Sequence, residues 1–90
     1  MLAGKEGGDV AHTPEECARR ILVVYRAHKA KPGTVLKRSA FAMYFTVRPW
    51  TLDDLEVGMF EAINREWISA LDHGELRLLR AGEKEFASRT

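Results

Sequence analysis

The chain has 90 residues, of which 46% are apolar and 30% charged, with 14 Lys or Arg against 13 Asp or Glu and a net charge of +1 at pH 7. That length suits one domain with a modest core, burying about 60–65% of its unfolded surface. The near-neutral balance lacks the strongly basic signature of nucleic-acid or membrane-surface proteins, although a clustered distribution could still supply one. A single cysteine, Cys17, excludes an intrachain disulfide and suits a reducing compartment. Met1–Val10 has no apolar core of the kind a signal peptide needs. The longest apolar stretch, Ala40–Phe45, is far short of the roughly 18 residues of a membrane span. A soluble, cytoplasmic protein with no membrane partner is expected.

Residues 1–12, with Gly4, Gly7 and Gly8 among charges, are expected to be a flexible tail. A helix starts at Thr13, where Thr-Pro-Glu-Glu supplies an N-cap, a proline at the first helical position and Glu16 three residues after the cap. Cys17, Ile21, Val24, Tyr25 and His28 share one face of it, and Lys29, Lys31, Pro32 and Gly33 end it near Ala30. Thr34-Val35-Leu36 is β-compatible. Ser39 is positioned to cap a second helix over 40–47 (AFAMYFTV), with helix preferred over strand because Ala40, Ala42 and Met43 favour it. Pro49 breaks the chain, and Thr51 caps a third helix whose first turn holds Asp53 and Asp54. Leu52, Leu55, Met59, Ile63 and Trp67 are expected to be its core face, with Asp54, Gly58, Glu61 and Arg65 opposite. Residues 68–71 and 76–79, joined by Asp72-His73-Gly74, read as a β-hairpin. Gly82 is expected to break the chain, and residues 88–90 to form a C-terminal tail.

The order helix, short strand, helix, helix, hairpin over residues 13–87 resembles the winged helix-turn-helix DNA-binding domains, in a mostly α chain with a small β-hairpin. WTLDDLEVGMFEAINREWI is similar to their third helix running into the first wing strand, and ALDHGELRLLRAGEKEF to their two-stranded wing. The resemblance implies a small transcription-regulator-like protein binding double-stranded DNA, the third helix lying in the major groove and the wing on the backbone. Carried over, the groove-facing positions are Thr51, Asp53, Asp54, Val57, Gly58, Glu61 and Arg65, and the nucleic-acid contacts are Lys37, Arg38, Arg48, Thr51, Arg65 and Arg77.

Charge departs from that pattern. Acids stand on the supposed reading face and at the wing tip, where they oppose phosphate binding. Lys29, Lys31, Lys37 and Arg38 suit a phosphate-contacting patch or a plain solvated surface. Asp53, Asp54 and Glu61 suit a basic partner or cation, or only the helix dipole and a Glu61–Arg65 pair. The alternative is a protein-interaction module on the same architecture. In it the surplus aromatics Phe41, Tyr44, Phe45 and Trp50 either complete the core or form a homodimer interface. His12, Cys17, His28 and His73 match no zinc spacing, and Cys17 in a first helical turn reads as an inert buried thiol. No nucleophile–base pair and no phosphate loop is present. No enzyme activity, cofactor, metal or small-molecule substrate is expected.

Overall fold

The computed structural model describes residues 12–87. Of the tails expected at 1–12 and 88–90, all but His12 lies outside that range, and His12 is held against Trp50 and Asp54. The first helix, α1, spans Pro14–Ala27 and begins in the expected capping box: the Thr13 hydroxyl accepts from the Glu16 N–H at 3.1 Å, and the Glu16 carboxylate accepts from the Thr13 N–H at 2.8 Å. Cys17, Ala18, Ile21, Leu22, Val24 and Tyr25 form its buried face. The helix stops three residues earlier than expected because Lys29 turns to φ 54. The Lys29 N–H then bonds the Arg26 carbonyl at 2.9 Å and the Ala30 N–H the Tyr25 carbonyl at 3.0 Å, a Schellman motif without glycine. His28, expected on the apolar face, is exposed; its ring Nδ1 donates to the Val24 carbonyl at 2.9 Å.

Strand β1 (Val35–Lys37) leads directly into a short helix, α2 (Arg38–Ala42), which tightens into a 3-10 turn over Met43–Phe45. Lys37 holds the N-cap position, so Ser39 is not the cap the sequence suggested. Helix α3 (Leu52–Asn64) opens with a second capping box, Thr51 with Asp54, and closes with a second glycine-free Schellman motif in which Glu66 takes φ 61. Strands β2 (Ile68–Ala70) and β3 (Glu75–Leu78) follow, joined through a turn in which His73 (φ 64) and Gly74 (φ 75) are both left-handed. The sheet is antiparallel and three-stranded, in the order β1-β3-β2, rather than a two-stranded hairpin alone. Its register pairs Leu36 with Leu76 and Ile68 with Leu78 on the core side, and Val35 and Ser69 with Arg77 on the other. The Tyr25 hydroxyl crosses the core to donate to the Leu76 carbonyl at 2.6 Å, tying α1 to the central strand.

A fourth helix, α4 (Arg80–Ala87), was not expected. Gly82 does not break the chain. It sits inside this helix, where a Cβ would lie 2.3 Å from the Trp67 carbonyl oxygen, so the glycine permits α4 to dock.

Helix α3 is rotated from its expected facing. Its buried residues are Leu55, Gly58 and Ala62, while Leu52, expected in the core, is 47% exposed. The small residues win because they let α1 and α3 approach closely: a Cβ on Gly58 would stand 2.6 Å from the Cys17 carbonyl oxygen.

Two substitutions test these placements by urea melts. On a solvent face Gly58→Ala would stabilise by about 1 kcal/mol through helix propensity. Against the Cys17 backbone, overpacking outweighs that gain, and a net loss of roughly 1–2 kcal/mol is expected. Glu66→Gly relieves the left-handed backbone and is expected to gain about 1 kcal/mol; a loss would contradict the cap geometry.

Candidate functional site

The 3.6-residue period that buries Leu55, Gly58 and Ala62 turns Asp53, Glu56, Val57, Phe60 and Asn64 outward. Phe60 stands near the middle of this face and is 67% exposed. Leu52 and Val57 are also exposed. Asp53, Asp54, Glu56 and Glu61 lie within α3, and no Lys, Arg or His does. The face carried over as DNA-reading therefore divides. Asp54, Gly58, Glu61 and Arg65 turn towards α1, and only Thr51, Asp53 and Val57 of that set remain outward.

The six expected nucleic-acid contacts do not form one patch. Thr51 is the N-cap of α3, its hydroxyl accepting from the Asp54 N–H at 3.1 Å. Arg65 is the C-cap at the other end, about 20 Å away for a helix of this length. Its guanidinium donates to Glu61 at 2.6 Å and lies 5.2 Å over the Trp67 ring, and the Glu61 carboxylate holds its pKa above the usual value. Arg38 is paired with Glu56. Lys37, at the end of β1, faces Glu75 across the register. Arg77 projects from the outer side of β3, and Arg48 is exposed in the turn before Pro49.

The expected aromatic interface divides. Phe41 and Phe45 are fully buried, Phe41 edge-to-face with Tyr25 at 5.3 Å and Phe45 edge-to-face with Trp50 at 5.6 Å. Both complete the small core instead of lining a surface. Tyr44 and Trp50 are half-buried, with the Arg20 guanidinium over both rings and donating to the Tyr44 carbonyl at 2.8 Å. What the segment exposes is Met43 and Val47.

Between α3 and the β2–β3 hairpin lies a groove of about 170 Å³. Met59 and Ile63 line it from α3, Ala70 and Leu71 from the first arm of the hairpin, and Leu76 from the second, with Phe60 beside them. Glu56, Arg38 and Glu75 form its polar border. The volume is below the roughly 300–1,000 Å³ of small-molecule pockets, so the groove suits inserted side chains. The sequence reading placed Met59 and Ile63 in the core and passed over Phe60. The signal for it was that apolar residues fall on nearly every side of α3 between its four acids, which marks a helix with more than one packing partner.

The described residues bring one set of chemically capable side chains together. Asp54 accepts from the Thr51 N–H at 3.1 Å, lies 3.1 Å from the His12 Nδ1, and is 3.7 Å from the Cys17 Sγ, which donates to it. His12 stacks on Trp50 with centroids 3.7 Å apart. His28 and His73 are elsewhere, and among the described residues no three His, Cys, Asp or Glu side chains group as metal ligands. Burial first, and then the Asp54 carboxylate, pushes the Cys17 thiol from 9.0 up to about 11, against the first-turn dipole. At pH 8 only about one native molecule in a thousand then carries a thiolate. Native protein is expected to resist iodoacetamide and to label fully in urea; native labelling at the rate of a free cysteine would contradict this. A thiol that titrates higher when folded leaves its share of stability intact below pH 9, and that share falls as pH rises towards 11. Cys17→Ala is expected to remove that part of the alkaline loss in urea melts at stepped pH. No helix among the described residues is long and apolar enough to cross a membrane. Against known proteins the chain finds no match: no family model, no curated protein and no solved structure matches it.

Proposed function

We propose that the chain is a winged-helix-like domain whose third helix docks a protein instead of reading DNA. The architecture is supported by the order α1-β1-α2-α3-β2-β3 and by the sheet order β1-β3-β2, which sets β1 against the far side of the hairpin. The docking reading rests on one observation: the outward face of α3 centres on an exposed Phe60 and carries acids without a single base. DNA affinity comes mainly from Lys and Arg neutralising phosphates. The outward face of α3 offers Asp53 and Glu56 and no base to meet a phosphate, and Arg38 and Arg65 are already engaged by Glu56 and Glu61. An exposed aromatic beside an apolar groove is, by contrast, the kind of side chain that becomes the desolvated anchor of a protein interface. Homodimerisation through 41–50 has little support, since the core takes Phe41 and Phe45. The domain is read as a binding module, not an enzyme.

Two measurements test this. Titration with random-sequence duplex DNA at about 50 mM salt, where phosphate contacts are strongest, is expected to give no binding tighter than about 10⁻⁴ M. A photo-crosslinking amino acid at position 60, compared in cells with one at the exposed Val35, is expected to give a protein adduct from position 60 alone. Salt-dependent duplex binding, or cross-links from position 60 to DNA, would replace the docking reading with the DNA one.

A further inference from the structure

We infer that the hollow between α1 and Trp50 binds a free α-amino acid with an apolar side chain, Arg20 taking its carboxylate and Glu16 its ammonium group. The site is built without any residue of α3 and is independent of what docks on that helix. His12, Glu16, Arg19, Arg20, Val23 and Trp50 line a volume of about 310 Å³. That reaches the lower end of the range of small-molecule pockets, roughly 300 Å³.

Two opposite charges line this hollow without meeting. Glu16 and Arg20 are four residues apart with the acid first, the arrangement that ordinarily closes into an ion pair on a helix. Glu15 and Arg19, one residue earlier, do close, at 2.9 Å. Glu16 and Arg20 do not, because backbone groups draw them apart. The Glu16 carboxylate is turned back to accept from the Thr13 N–H at 2.8 Å. The Arg20 guanidinium is turned to the Tyr44 carbonyl, to which Nε donates at 3.0 Å and Nη2 at 2.8 Å. Among the described residues neither side chain has an oppositely charged one within ion-pair distance. Arg20 is half-buried, so an arriving carboxylate meets its charge in surroundings less polar than water, where the attraction is stronger.

The walls are already in place. His12 stacks on the Trp50 ring with centroids 3.7 Å apart, Arg20 lies 4.9 Å over the same ring, and Phe45 packs edge-to-face with it. Groups held in this way need little ordering when a ligand arrives. Val23, exposed on the outer side of α1, and the Trp50 ring offer apolar surface to the ligand's side chain. The pairing of charges chooses the ligand. A simple anion that meets Arg20 is left beside Glu16, and a simple cation that meets Glu16 is left beside Arg20, whereas a zwitterion satisfies both. Arg19 does not tip the balance, since Glu15 and Glu85 hold it. Residues four apart on a helix have β-carbons about 5–6 Å apart, which suits a ligand whose two charged groups sit on one carbon.

The test uses the full, isotope-labelled chain and three probes: L-leucine, isocaproate, which lacks the amine, and isoamylamine, which lacks the carboxylate. The Trp50 indole N–H resonance reports the site, and that of the buried Trp67 is the internal control. Leucine is expected to shift the Trp50 signal with a Kd on the order of 1 mM, and each analogue to bind at least about ten-fold more weakly. Glu16→Gln keeps the capping box, because glutamine serves at that position as glutamate does. It is expected to weaken leucine at least about ten-fold while isocaproate binds no worse. Arg20→Gln is expected to abolish binding of both, with circular dichroism establishing that the variants are folded. An unmoved Trp50 signal with leucine, isocaproate binding as tightly as leucine, or leucine binding indifferent to Glu16→Gln would overturn the inference.

Discussion

The structure turns on the approach of α3 to α1 at Gly58. Its missing side chain admits the Cys17 carbonyl to a distance that any Cβ would forbid, and this fixes the rotation of α3 about its own axis. Other placements follow from that rotation. One turn before Gly58, Asp54 comes under the Cys17 thiol and beside His12. One turn after it, Ala62 closes the same seam. Glu61 and Arg65 run along its edge, where Arg65 and Arg19 both lie 5.2 Å over the Trp67 ring. Two residues from Gly58, about 200° around the helix, Phe60 is turned out to solvent.

The rest of the core locks that seam from its far ends. Gly82 admits the Trp67 carbonyl as Gly58 admits that of Cys17, so α4 closes over the residue that leads from α3 into β2. The buried Tyr25 hydroxyl, held protonated by burial, joins α1 to the central strand. A chain of this size has little apolar area to spare. It fills the core with Phe41 and Phe45 and leaves other apolar side chains on α3 uncovered.

How much of this was legible in the sequence depended on whether the signal was local. Thr13 and Thr51 were readable as caps because an N-cap and its partner three residues on are specified by residue type. The turn at Asp72–Gly74 was readable for the same reason. The ends of α1 and α3 were not, because Lys29 and Glu66 occupy positions that usually take glycine or asparagine. Gly82 was misread because a glycine that breaks a helix and one that lets another backbone approach look alike until the neighbour is known, and Gly58, expected on the outward face, was misread because it has no side chain to mark the face as packed. The facing of α3 failed through competition. Leu52, Leu55, Met59 and Ile63 make the larger apolar stripe, but Leu55, Gly58 and Ala62 make the one that packs closely. The candidate contacts were legible as charges and not as pairs: nothing local to Arg38 announces Glu56, eighteen residues on.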